Sequence, residues 1–255
     1  MEEKKVFIKN LEVHYIVMGA GKPFLILHGW RSRSDRWQKI GELLSEKKFK
    51  VIIPDLPGFG KSQEPESAWS LDNYVEWAKE LSEKIPEING SFYLLGHSFG
   101  GTLAVNFTIK YNQKVENLFI VSASCIRKKT NIKKFLFVIS KFIKIFSFLP
   151  YYQEFRKSVY KYIIKKSDYL YQSGVMEDIY LKVISDDLSH ELSFIKVPTI
   201  IIWGDKDTIT PLEQAKLINK KIENSKLVII QGADHFLNIK IPEILASKIL
   251  ENLPS

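Results

Sequence analysis

Cysteine is almost absent from this chain. Cys125 stands alone among 255 residues, so no intrachain disulfide can form, which suits a reducing compartment. Histidine is scarce too, at five residues. No histidine or cysteine cluster has the spacing of metal ligands, so neither a metal nor another cofactor is implied. Long apolar runs free of charge are also missing. The most apolar stretch, near residues 135–148, is broken by Lys141 and Lys144, which argues against a transmembrane helix. The first residues, Met1-Glu2-Glu3-Lys4-Lys5, are charged and lead into a strand, unlike a signal peptide. A cytoplasmic location is the expectation. There is no internal repeat and no low-complexity tail.

What is present is a regular alternation. Two N-terminal strands are predicted around Val6–Lys9 and Val13–Met18, then strands near 24–28, 50–54, 91–96, 116–122, 198–203 and 226–231. Helical periodicity lies between them, notably at Leu71–Ile85, Thr102–Tyr111, Leu212–Lys221 and Pro242–Asn252. Strands alternating with helices predict an α/β protein with a mostly parallel sheet covered on both faces. The alternation breaks from about Ile126 to Lys196.

The most informative stretch is Gly96-His97-Ser98-Phe99-Gly100-Gly101, between the apolar run 91–95 and a helical segment. A serine flanked two residues away by glycines suits a sharp strand-to-helix turn that exposes its hydroxyl. Gly96 and Gly100 leave room for that strained turn. Backbone N–H groups at the helix start can then receive negative charge. A glycine-rich turn without chemistry would look the same locally, so the rest of the chain decides.

Two later runs each end in polar residues. Ile200-Ile201-Ile202 leads to Trp203-Gly204-Asp205-Lys206-Asp207, and Leu227-Val228-Ile229-Ile230 leads to Gly232-Ala233-Asp234-His235. Both place polar groups beyond strand ends, where open parallel sheets gather their chemistry. The order Ser98, Asp207, His235 is that of a nucleophile, an acid and a base in α/β-hydrolases.

Five segments in register carry a resemblance to the α/β-hydrolase fold family. They are His28-Gly29-Trp30, Asp55-Leu56-Pro57-Gly58-Phe59-Gly60-Lys61-Ser62, the Ser98 segment, Trp203–Asp207 and Ala233-Asp234-His235. The resemblance implies an eight-stranded, mostly parallel sheet flanked by helices, with a helical cap after strand 6. The core would comprise residues 1–125 and 197–255, and the cap 126–196. It implies that Ser98 is the nucleophile, His235 the base and Asp207 the acid, with the backbone N–H groups of Trp30 and Phe99 as the oxyanion hole.

Other candidates are weighed against these. Asp205 competes with Asp207, but the family pattern uses the second aspartate, and Asp205 reads as a turn residue. The region after the preceding strand, Ser122-Ala123-Ser124-Cys125, offers no carboxylate. His97 is expected to point away from its neighbour Ser98 and to be structural. His28 is expected to brace its turn, and His14 and His190 to be surface or packing residues. Asp55, with Gly58 and Gly60, is expected to fix a loop. Asp234 stands where many relatives carry glycine.

Residues 126–166 hold twelve Lys/Arg against one acid, a local charge of +11 that leaves −3 for the rest of a chain at +8. Phenylalanine and tyrosine interleave with the lysines, as in an amphipathic cap helix with aromatics toward the site. The charge can attract an anionic membrane surface or an acidic carrier protein, or it can simply be a solvated face. No nucleic-acid motif is present, and nucleic acid is not an expected partner. The leading expectation is a serine hydrolase that cleaves a small-molecule carboxylic ester with an apolar acyl group. The resemblance extends to esterases of the pimeloyl methyl ester type. Alternatives are a carbon–carbon bond hydrolase of the meta-cleavage type and a non-catalytic small-molecule-binding member. Meta-cleavage relatives commonly carry tryptophan and asparagine where this chain has Phe236 and His97.

Overall fold

In the computed structural model, which describes residues 1–88, 90–127 and 174–253, the apolar runs form eight strands. These are β1 (Glu2–Ile8), β2 (Leu11–Met18), β3 (Lys22–Leu27), β4 (Phe49–Pro54), β5 (Phe92–His97), β6 (Val115–Val121), β7 (Thr199–Gly204) and β8 (Ser225–Ile230). They build one sheet in the order β1-β2-β4-β3-β5-β6-β7-β8. The β1–β2 hairpin and the β2–β4 pairing are antiparallel. Every other pairing is parallel. This is the eight-stranded, mostly parallel sheet expected from the sequence.

Parallel neighbours cannot be joined by a tight turn, so helices make the crossovers. The described helices are α1 (Gln38–Ser45), α2 (Leu71–Lys84), α3 (Phe99–Lys110), α4 (Val175–Val183), α5 (Leu212–Lys221), α6 (Leu237–Lys240) and α7 (Pro242–Leu250). Among the described residues, no helix is long and apolar enough to cross a membrane. Ser70 starts α2 with a capping box, its hydroxyl accepting from Asn73 N–H while the Asn73 side chain accepts from Ser70 N–H.

The sheet is buried on both faces, which explains continuous apolar runs in place of alternation. Side chains along each strand still alternate between the two sides. Leu25, Leu27, Leu118, Ile120, Ile201 and Trp203 enter one core with α2, α3 and α5. Phe24, Ile26, Phe119, Val121, Ile200 and Ile202 enter the other, with α1 and α7. Each such side chain contributes about 1.5–3 kcal/mol relative to exposure. β8 departs from expectation, because it is the sheet edge and Ile229 is exposed there. The lysine- and aromatic-rich reading of the cap falls mainly on 128–173, outside the described residues.

Candidate active site

Ser98 sits between β5 and α3 with φ 54° and ψ −115°. A non-glycine residue there carries about 1–3 kcal/mol of strain. Hydrogen bonds hold it in place. Ser98 N–H donates to the Val121 carbonyl at 3.0 Å, and the Ser98 carbonyl accepts from Thr102 and Ser124 N–H, each at 3.1 Å. A Cβ on Gly96 would strike the Gly100 carbonyl, and one on Gly100 would strike the carbonyls of Leu27 and His28. Both glycines are therefore required by close backbone approach. α3 begins at Phe99, three residues earlier than its periodicity predicts, because the turn passes straight from strand to helix. Phe99 N–H is then among the first-turn donors that have no partner within the helix. The His28-Gly29-Trp30 turn lies against this elbow, since a Cβ on Gly29 would stand 3.1 Å from Ser98 Cβ.

The acid and base candidates meet directly. His235 Nδ1 lies 2.8 Å from Asp207 Oδ2, and both side chains are buried. Close packing of the two loops makes the meeting possible: a Cβ on Gly204 would collide with the Ala233 carbonyl, and Lys206 N–H donates to that carbonyl at 2.9 Å. Asp207 Oδ1 accepts from the N–H groups of Ile209 (2.9 Å) and Thr210 (2.8 Å). Thr210 Oγ1 lies 2.8 Å from Oδ2. Burial alone would raise the Asp207 pKa, but the His235 hydrogen bond and then the Thr210 donors outweigh it and hold the carboxyl below the usual range.

The His235 loop is tied to the elbow by His97. The two rings are 4.9 Å apart, and His97 Nε2 lies 2.9 Å from the His235 carbonyl. Burial, then the neighbouring His235, push the His97 pKa down to about 3, so its ring is neutral and Nε2–H is the donor. His97 thus has the structural role expected of it, and the group that it braces is the His235 loop. His28 is pushed down to about 4 by burial. Its Nδ1–H donates to the Gly29 carbonyl (2.8 Å) and Nε2 accepts from Leu56 N–H (3.0 Å), which braces the turn.

Asp55 fixes its loop by accepting from Ser34 N–H (2.6 Å) and Lys61 N–H (2.9 Å). His14 is buried beside it, Nδ1 2.9 Å from Asp55 Oδ2 and Nε2 3.0 Å from Glu3 Oε2. That pairing across 41 positions has no local sequence signal. Asp205 accepts from Gly232 N–H at 2.6 Å and serves its turn. Asp234 accepts from Phe236 N–H at 3.0 Å and pairs with Lys240.

Aromatic side chains flank the elbow. The Trp30 ring contacts Phe59 (4.9 Å), Tyr180 on α4 (5.2 Å) and Phe99 (5.3 Å). Met176, also on α4, covers Gly58. The sequence reading missed Tyr180, Met176 and Thr210, which touch the site only through tertiary packing.

The site thus combines a strained serine turn, a buried Asp–His pair and an apolar flank on an eight-stranded sheet. The sequence profile of the alpha/beta hydrolase fold family matches residues 22–154 and 136–241, and the chain belongs to that family. Hydrolase is the class of activity supported by this membership and by lipase and esterase relatives. Lipase 1 of Psychrobacter immobilis is 27% identical over 254 residues, covering 91% of this chain and 75% of the lipase. The pimeloyl-[acyl-carrier protein] methyl ester esterase of Wigglesworthia glossinidia brevipalpis is 30% identical over 244 residues, covering 86% and 89%. Among solved structures, a membrane phospholipase A shares the fold at a TM-score of 0.78 and 22% identity, covering 98% of this chain and 84% of that one.

Proposed function

We propose that the protein is a serine hydrolase that cleaves carboxylic esters through an acyl-enzyme on Ser98. The observation that carries this reading is the buried Asp207–His235 pair, bonded at 2.8 Å and packed through His97 against the strained Ser98 turn. Ser98 Oγ attacks the ester carbonyl as His235 takes its proton. Asp207 fixes the ring tautomer and stabilises the imidazolium. The oxyanion lies toward Phe99 and Trp30 N–H, each such donor being worth about 3 kcal/mol of barrier. Collapse of the tetrahedral adduct breaks the carbon–oxygen bond, and His235 returns the proton to the departing alcohol. Water then repeats the cycle on the acyl-enzyme, releasing the acid and free Ser98.

The aromatic flank of Trp30, Phe59, Phe99 and Tyr180 favours an apolar acyl group. The esterase relative supports a carboxylic ester as the bond attacked. The test is labelling of wild type and Ser98→Ala by a fluorophosphonate probe, followed by peptide mapping. Label confined to Ser98 in the wild type and absent from Ser98→Ala is the expected result. A folded wild type that takes no label, or takes it elsewhere, removes this reading.

A further inference from the structure

Thr210 is buried, and its hydroxyl stands at the centre of the acid–base pair. Oγ1 lies 2.8 Å from Asp207 Oδ2, 3.2 Å from His235 Nδ1 and 3.2 Å from the Ser122 carbonyl oxygen. A hydroxyl has one proton and two lone pairs, so it can donate fully to only one of the two oxygen acceptors. The shorter distance and the negative charge both select Asp207. His235 Nδ1 lies 2.8 Å from the same Oδ2, which therefore takes two donors. The residue is pinned at its backbone as well. Its carbonyl accepts from the buried Trp203 indole N–H at 2.7 Å, and its N–H donates to Asp207 Oδ1 at 2.8 Å. Ser122, at φ 44°, holds its carbonyl oxygen 3.2 Å from the same hydroxyl.

We infer that Thr210 is a positioning residue for the reaction proposed above. It orients the Asp207 carboxylate toward His235 and, by sharing Oδ2, limits how strongly that carboxylate favours the imidazolium. The inference rests on the serine-hydrolase reading and adds to it a residue that sets the pH range of the base.

Two further titratable residues neighbour His235 among the described residues. His97, from the end of β5, is neutral there because burial depresses its pKa to about 3. Asp234, on the same loop as His235, is paired with Lys240 of α6. Asp207 is the charged partner bonded to the ring, and Thr210 shares that partner's oxygen. Loss of the hydroxyl leaves Oδ2 with one donor fewer. Its charge is then less dispersed, the imidazolium is favoured, and the base becomes available only at higher pH.

The experiment measures the rate of Ser98 labelling by a fluorophosphonate as a function of pH in wild type, Thr210→Val and Thr210→Ser. Valine keeps the shape without the hydroxyl, and serine keeps the hydroxyl. The acid limb is expected to move up by about half a pH unit in Thr210→Val, a change of about 0.7 kcal/mol between the protonation states. Thr210→Ser returns it to the wild-type position. Thr210→Ala supplies the same readout if the valine variant does not fold. An acid limb that stays fixed or moves down without the hydroxyl, whatever happens to the plateau rate, overturns the inference. So does Thr210→Ser behaving like Thr210→Val. Failure of the wild type to label at all is a different result, which removes the serine-hydrolase reading itself.

Discussion

Replacing Asp207 by asparagine discriminates the two aspartates of the Trp203–Asp207 segment. The carboxylate has donors on both oxygens: Ile209 and Thr210 N–H on Oδ1, and His235 Nδ1 with the Thr210 hydroxyl at Oδ2. Asparagine has one carbonyl oxygen. The two backbone donors cannot move, so that oxygen replaces Oδ1 and the amide NH2 faces His235. Nδ1 must then accept a hydrogen bond, which sends the ring proton to Nε2. A ring protonated at Nε2 cannot take the Ser98 proton. The expected loss is about 10³–10⁴ in rate, or roughly 4–5.5 kcal/mol of barrier at about 1.36 kcal/mol per decade.

Asp205 gives the contrast. It accepts the Gly232 N–H at 2.6 Å, and asparagine can offer an oxygen to the same donor. Asp205→Asn should therefore stay within about tenfold of wild type, a charge-assisted bond having become a neutral one. The assay is the second-order rate of fluorophosphonate labelling, with circular dichroism to show that each variant is folded. Asp207→Asn within tenfold of wild type, or Asp205→Asn equally damaged, would refute the assignment of the acid and the tautomer argument with it.

Two further outcomes concern stability. Gly100→Ala sets helix propensity against packing: alanine favours α3 by about 1 kcal/mol, but its methyl meets the Leu27 and His28 carbonyls, and overpacking costs about 1–3 kcal/mol. Because the obstacle is backbone, packing should win, lowering the urea midpoint. A raised midpoint would show that α3 can move off β3. Asp207 also contributes to acid stability, since its folded pKa is depressed. A depressed carboxyl stabilises above its unfolded value of about 3.9 and loses that contribution as pH falls through the folded value. The stability gap between wild type and Asp207→Asn should thus narrow on acidification below about pH 4. A gap that widens in urea titrations there would contradict the sign.

Strands and most helices were legible because each leaves a local pattern. The run Ile200-Ile201-Ile202 can lie only where both faces are buried, and β7 divides it between the two cores. The turns that carry the candidate site were legible for a related reason: turn chemistry at strand ends is local, and Ser98, Asp207 and His235 each sit just past a strand. What escaped depends on distant partners. His14 is buried only because Asp55 and Glu3 come to it. Thr210 reads as an ordinary residue before a proline until Asp207, Ser122 and His235 close around it. Gly100-Gly101 suggested a turn and lies inside α3, its glycines required by the close approach of Leu27, His28 and Ala123.

The same geometry explains how the sheet supports the strained turn at Ser98. Three adjacent parallel strands each extend their pairing one bond past the strand end. Ser98 N–H donates to the Val121 carbonyl (3.0 Å), Ser122 N–H to that of Ile202 (3.2 Å) and Asp205 N–H to that of Ile230 (3.3 Å). Ser98 and Ser122, both at positive φ, are thus each fastened to the next strand. Each bond contributes about 0.5–1.5 kcal/mol net, comparable to the strain of about 1–3 kcal/mol at such a residue. From the elbow the connection runs through β6 to the Ser122 carbonyl, then by the Thr210 hydroxyl to Asp207 and His235. A shift of β6 against β5 would therefore disturb the Ser98 turn and the Asp207–His235 pair together. Substitutions at the end of β6, which carries no catalytic candidate, should lower the labelling rate more than they lower stability.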